Sequence, residues 1–367
     1  MLQIGAGESF IKVFERNYRL LESEASQFID ESEISGLREL QYAENLVDSA
    51  IDESEYMLVK LNGGLGTTMG LKKAKSLLEA KDGLTFLDVI LRQVLSLRSG
   101  SDTFPLVFMN SFNTSADTLD FVNKNYPDFQ RHPLEFLQHQ QPKILKETLA
   151  AVEFPTDPKL EWCPPGHGDF YNSFYTSGLL HYFLEHGVKY AFVSNADNLG
   201  ATFSHTIAKH FENTGATIML ELAEKTADDV KGGHIVFDKS GKMLLREVAQ
   251  IRESDMEAAL DARVHPYFNT NSIWLNLEQL HAQLADADGV LDLPLIVNTK
   301  TVDPKDKTTP ECIQLESAIG AGVSALDKTA VVCVPRTRFL PVKRNSDLEV
   351  LRSDAFVLDE MFNMRKV

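Results

Sequence analysis

The chain has 367 residues with 36 Lys and Arg against 53 Asp and Glu, a net charge of −17 that argues against general affinity for nucleic acid or other polyanions. With 43% apolar residues it can bury a substantial core, which excludes disorder as a description of the whole. No apolar stretch approaches the roughly 20 residues that a membrane helix requires.

In chain order, Met1-Leu2-Gln3-Ile4 leads into no long apolar segment, so no secretory signal is read and a cytoplasmic protein is expected. Residues 1–55 hold thirteen acidic and four basic side chains, more than half of the net charge. Phe10, Val13, Phe14, Leu20, Leu21, Phe28 and Ile29 fit an amphipathic helix, and Ile34, Leu37, Leu40 and Ala43 suggest a second. From Tyr56 the pattern changes to short apolar runs: Tyr56 to Leu61, Pro105 to Met109, Tyr190 to Ser194, Ala216 to Leu222 and Ala330 to Val334. Segments of helical period lie between them, at Phe86 to Leu97, Asn172 to His186, Thr202 to Glu212 and Leu277 to Ala285. Buried strands alternating with helices predict an α/β layer structure. The expected division is an acidic helical arm over 1–55, a main domain over 56–350 and a tail over 351–367. Cys163, Cys312 and Cys333 are widely spaced, with no C-x-x-C pair, and read as reduced, buried thiols.

Leu61-Asn62-Gly63-Gly64-Leu65-Gly66-Thr67-Thr68-Met69-Gly70 directly follows the first strand and precedes Lys72, Lys73 and Lys75. Glycines there let the backbone approach a ligand and turn N–H groups toward phosphate oxygens. The run matches neither a P-loop, since Leu71 stands where its second glycine belongs, nor a dinucleotide fingerprint, since Met69 closes the G-x-G-x-x-G frame. Taken alone, the loop is equally a structural turn. Ser194-Asn195-Ala196-Asp197-Asn198 follows another strand, so Asp197 reads either as a Mg²⁺ ligand in a shared crevice or as a cap for the helix near Thr202. Pro164-Pro165-Gly166-His167-Gly168-Asp169 is a bend carrying one His and one Asp, and Arg336, Arg338, Lys343 and Arg344 form a basic stretch, suggestive of an anion or simply a solvated edge.

Together these blocks resemble the eukaryotic-type UTP:glucose-1-phosphate uridylyltransferases, the UDP-glucose pyrophosphorylases, from about Tyr56 to about Asp354. Lys231-Gly232-Gly233, Phe268-Asn269-Thr270-Asn271 with Trp274, Gln314-Leu315-Glu316 and Phe339 to Lys343 occur in the same family order. The resemblance implies a glycosyltransferase-A-like α/β nucleotidyltransferase with a mixed central sheet. It further implies that Leu61, Asn62, Gly63, Gly64, Gly166 and Lys75 bind UTP and that Gln138 reads uracil. His167, Asn195, Asn271 and Glu316 would surround the sugar phosphate, Asp197 would meet nucleotide and Mg²⁺, and Lys343 and Lys75 would be catalytic. The implied reaction joins UTP and glucose 1-phosphate into UDP-glucose and pyrophosphate, with a UDP-N-acetylhexosamine or broad-specificity UDP-sugar pyrophosphorylase as the alternative. The sequence departs from the family where Lys73-Ala74 replaces a common Gly-Pro before Lys75. Relatives also continue into a C-terminal β-helix, apparently absent here; a monomer or weak oligomer is expected if it is truly missing.

Overall fold

The computed structural model describes residues 1, 5–23, 28–66, 69, 73–98, 104–226, 229 and 232–367. At its centre is a seven-stranded sheet of β1 (Tyr56–Asn62), β2 (Leu106–Asn110), β3 (Glu135–Leu137), β4 (Tyr190–Asn195), β5 (Ile218–Glu224), β6 (Tyr267–Asn276) and β7 (Thr329–Cys333), in the order β7-β5-β6-β4-β1-β2-β3. β4, β1, β2 and β3 run parallel, whereas β6 is antiparallel to both its neighbours, so the sheet is mixed.

The apolar runs become strands because residues two apart share a face. Met57 and Val59 join one core with Val107, Val193 and Leu220, while Tyr56 and Leu58 join the other with Phe108, Phe192 and Trp274. Both faces are covered. α2 (Phe86–Arg98) buries Phe86, Leu87, Val89, Ile90, Leu91 and Val94 against the second core, each worth about 1.5–3 kcal/mol for a fully buried large apolar side chain. α3 (Ser115–Asn125) follows β2, and α6 (His205–Thr214) follows β4. The C-terminal helix Asn345–Arg352 and the hairpin of Phe356–Leu358 with Met364–Lys366 place Leu348, Leu351, Phe356 and Met364 in the core that α2 covers.

Three helical expectations are corrected. α1 (Glu8–Glu22) carries Phe10 to Leu21 as the spacing predicts but ends before Phe28 and Ile29, which are not helical, and Ile34 to Ala43 is not a helix. Ile34–Gly36 is a strand paired with Val236 to Asp238, and only Ala43–Asn45 makes a single 3₁₀ turn. A side chain on Gly36 would come within 2.7 Å of the Val264 carbonyl, so close packing sets this backbone rather than helical period. Asn172 to His186 is likewise two helices, the second half of α4 (Phe170–Thr176) and α5 (Leu179–Glu185), interrupted at Gly178 with φ +77°. The acidic arm is tied to the sheet region at both ends. Phe14, Tyr18, Leu20 and Leu21 of α1 pack with Ile144, Ile313 and Leu315, and Ile34–Gly36 completes a three-stranded sheet with His234–Asp238 and Met243–Arg246. All three cysteines are buried free thiols. Among the described residues, no helix is long and apolar enough to cross a membrane.

Candidate active site

β1 and β4 are parallel neighbours with Leu61 opposite Asn195, so the glycine loop and the 195–198 turn leave the sheet side by side. A cavity of about 310 Å³ opens there. Its wall takes Leu61, Asn62, Gly63 and Gly64 from the end of β1, Lys75 and Ser76 from the following 3₁₀ turn, and Met109 from β2. Gln138 comes from just beyond β3, Pro164 and His167 from the Pro/Gly bend, and Asn195, Ala196 and Asp197 from the end of β4. Thus most of the expected site residues converge. Ser76 and Met109 had no sequence signal; Ser76 is small and Met109 reads as core.

On one side of the cavity every group is held by the fold. Gln138 N–H donates to Asn110 O at 2.8 Å, and its side-chain Nε2 donates to Gly166 O at 2.6 Å. Gly166 adopts φ +81°, and a side chain there would strike Ser317 O at 2.6 Å, so the carbonyl that orients Gln138 requires glycine twice over. A Cβ at Gly63 would lie 2.8 Å from Gln138 Oε1, whereas one at Gly64 would meet nothing within 4 Å. Gly166 therefore acts from behind the wall. Asn62 contributes differently from its sequence expectation: its Nδ2 donates to Asn110 Oδ1 at 2.7 Å and Thr118 Oγ1 at 2.9 Å, directing the amide into the protein.

His167 Nδ1 accepts from Ile319 N–H at 2.9 Å, which leaves Nε2 as the protonated nitrogen of the neutral ring. Burial, reinforced by the charge of Lys343, lowers its pKa from 6.5 to about 4. Behind Gln138, the Asp169 carboxylate accepts from the His139 backbone N–H at 2.7 Å and meets Nδ1 of the same residue at 2.9 Å, while Phe10 of α1 stacks on that ring at 4.2 Å. This clamp joins the bend bearing His167 to the strand end bearing Gln138, and no local pattern signals it because its three members are far apart in the chain.

The other side is built from opposed charges. Lys75 Nζ meets Asp197 Oδ2 at 2.6 Å and also donates to Val342 O. Asp197 does not cap α6; Ser204 does, its hydroxyl accepting from Ile207 N–H. A strap at 338–342 lies along the acidic turn: Asn198 Oδ1 accepts from Leu340 N–H at 2.8 Å and Asp197 O from Val342 N–H at 3.2 Å. Lys343 follows this strap, exposed and outside the cavity wall; among the described residues its ammonium makes no direct hydrogen bond or salt bridge, though its charge acts on Glu247. The basic stretch is not a free anion site as a whole. Arg338 grips Glu221 at 2.7 and 2.8 Å, and Arg336 grips Asp229 at 2.6 Å.

Asn271 lies behind Asn195, donating to its Oδ1 at 2.9 Å. It sits at φ +60° where β6 slips register, Ser272 opposing Glu221 and Asn269 opposing Leu222. Its own Oδ1 is buried without a protein partner. Glu316 does not reach the cavity wall and pairs at 3.6 Å with Lys300. Thr67, Thr68, Gly70, Leu71, Lys72 and Lys231 lie outside the described residues.

The donor set bears on the expected Mg²⁺. Among the described residues no group of three or more His, Cys, Asp or Glu side chains gathers to form a protein cage. Asp197 offers one carboxylate, with Oδ2 on Lys75 and, among the described residues, no donor on Oδ1. That fits Mg²⁺ arriving on substrate phosphates, which ordinarily uses one or two carboxylates and retains water.

A glycine loop and an acidic turn leaving adjacent parallel strands define an α/β protein with its ligand crevice at the strands' carboxyl ends. The sequence model of UTP--glucose-1-phosphate uridylyltransferase matches residues 8–366, and the chain belongs to that family. It is 40% identical over 308 residues to the UTP--glucose-1-phosphate uridylyltransferase of Saccharomyces cerevisiae, a match covering 83% of this chain and 61% of the relative. With that of Solanum tuberosum it shares 39% over 312 residues, covering 84% and 64%. The chain thus spans about three fifths of the length of these curated relatives. A Leishmania major UDP-glucose pyrophosphorylase mutant, solved in complex with UDP-glucose, superposes with a TM-score of 0.94 at 38% identity over 100% of this chain and 80% of its own. The Trypanosoma brucei UDP-glucose phosphorylase gives 0.94 at 37% with the same coverage.

Proposed function

We propose that this chain transfers the uridylyl group of UTP to glucose 1-phosphate, giving UDP-glucose and pyrophosphate, on a glycosyltransferase-A-like sheet. The observation that carries the reading is the convergence of Gln138, His167, Lys75 and Asp197, from four separate segments, on one cavity. Gln138 keeps Oε1 and its second Nε2–H for a ligand, a pairing that suits the N3–H and an adjacent carbonyl of uracil. Neutral His167 offers Nε2–H to a sugar-phosphate oxygen, and Asn195 with Asn271 lies alongside.

An oxygen of the sugar phosphate attacks the α-phosphorus of UTP in line; that P–O bond forms as the bond to pyrophosphate breaks. No protein nucleophile is required. The difficulty is the approach of two anions, so positioning and charge neutralisation by Lys75 and Lys343 carry the rate. Mg²⁺ held through Asp197 would neutralise phosphate charge. As UTP enters, Lys75 exchanges its contact with Asp197 for phosphate oxygens, which would leave the carboxylate free to hold the metal. A coupled assay of pyrophosphate release, run with UTP and the 1-phosphates of glucose, galactose and N-acetylglucosamine, tests the reading. Turnover is expected with glucose 1-phosphate; turnover only with the acetylated sugar, or equal rates for all three, would favour the broader UDP-sugar activities, and none with any would reject the proposal.

A further inference from the structure

Lys60 lies one residue before the nucleotide loop, yet its side chain belongs to another place. Its residue is only 4% exposed, and its ammonium donates to Ser194 Oγ at 2.7 Å and Ala201 O at 3.0 Å. An ammonium has three N–H groups, so these neutral partners leave one donor free, and the charge meets the Phe192 ring at 6.0 Å and the field of Glu221 without a direct ion pair. Among the described residues no carboxylate pairs with it. The nearby Glu221 has both oxygens bound by Arg338, and one also accepts from Trp274 Nε1 at 3.0 Å. Burial and the charge of Arg338 accordingly hold the Lys60 pKa down, to about 7.

Beside this amine is a second cavity of about 240 Å³, separate from the nucleotide cavity. Leu58, Ile90, Val94, Leu97, Phe203 and Met361 make half of its wall, and Ala201 adds to the apolar part. Of its other polar side chains, Gln93 Nε2 donates to Phe362 O at 3.0 Å, Asn363 Nδ2 donates to Asp359 at 3.4 Å and His205 Nε2 meets Glu53 at 2.6 Å, while Thr202 adds one neutral hydroxyl. A cavity with a largely apolar wall and one cation that no carboxylate pairs directly is complementary to a ligand with an apolar body and a single negative charge. A phosphate dianion would bring a second negative charge that the wall does not answer, since its other ionisable side chain, His205, is already paired with Glu53.

We infer that Lys60 and this cavity form a second small-molecule site, which takes an apolar monocarboxylate. The carboxylate accepts from the Lys60 ammonium while its hydrocarbon portion lies between α2 and the 201–205 segment. Titrating the full chain with octanoate, with 1-octanol as the uncharged control, tests this by calorimetry at pH 6.5 and 8.5 under saturating UTP. One equivalent of octanoate should bind, at least tenfold more weakly at pH 8.5, with proton uptake there revealed by buffers of different ionisation enthalpy. Arg338, Glu221 and the His205–Glu53 pair are the other charges nearby, and proton uptake lost in Lys60→Met assigns the titration to Lys60. If that variant does not fold, proton uptake by the unmodified chain remains the test. Absence of saturable binding, equal binding of octanol, displacement by UTP or an unaltered Lys60→Met would each overturn the assignment.

Discussion

The two sides of the candidate active site satisfy their polar groups by opposite means. Around Gln138 and His167 the partners are backbone amides and carbonyls, fixed by Gly166, Ile319 and the Asp169–His139 clamp, so these side chains can meet a ligand without reorganisation. Around Lys75 and Asp197 the charged groups satisfy one another, and Lys343 stands off in solvent. A ligand there must replace an internal ion pair. For the proposed reaction, the contrast would give recognition to the preorganised side and most of the rate to the side that rearranges, since interactions completed only in the transition state raise turnover.

The comparison breaks most visibly at Asp197. Asp197→Asn preserves shape but removes the charge that holds Lys75 and would hold Mg²⁺, so turnover should fall on the order of 10²-fold or more. Rates measured across a Mg²⁺ titration check this; wild-type rate and metal dependence would exclude Asp197 from the chemistry. Gln138→Ala probes the other side and should narrow the preference for UTP over CTP about tenfold, with a smaller change in maximal rate. Competing the two nucleotides at subsaturating concentration reads that ratio directly, and an unchanged ratio would remove Gln138 from base reading.

The smallest expected effect concerns acid stability. His167 has a folded pKa of about 4 against 6.5 for the free side chain, so between those values the unfolded chain binds the extra proton. Stability present above pH 6.5 is therefore lost as pH falls toward 4, by at most ~3 kcal/mol for a shift of this size. His234 and His265 are shifted downward as well, so the wild type should retain some acid sensitivity without His167. Melting curves of His167→Gln should show a shallower decline over this range than wild type. Identical slopes would contradict the buried neutral imidazole.

Much of this architecture is legible in sequence because five strands announce themselves as apolar runs, and the family blocks follow strand ends where ligands gather. The failures have particular causes. Leu37 and Leu40 have helical spacing, but Gly36 lies too close to Val264 O for a side chain and pairs in a sheet. Asn62 sits within the glycine motif, yet alternation along β1 turns its amide toward Asn110 and Thr118. Arg336 and Arg338 look like free positive charge until the fold brings Asp229 and Glu221 from more than a hundred residues away. Local pattern reports which face a residue occupies, but long-range pairing determines whether its charge remains available.

Comparing Lys75→Ala with Lys343→Ala tests the separation of binding and rate most directly, by UTP calorimetry and single-turnover kinetics on the same preparations. Lys75 lines the cavity, so its loss should weaken UTP binding at least tenfold and slow the reaction. Lys343→Ala should bind UTP within about twofold of wild type yet react on the order of 10²-fold more slowly, with only partial recovery in Lys343→Arg because a guanidinium does not occupy the same point as an ammonium. Equal losses of UTP affinity in the two alanine variants, with no additional rate defect at Lys343, would contradict the account.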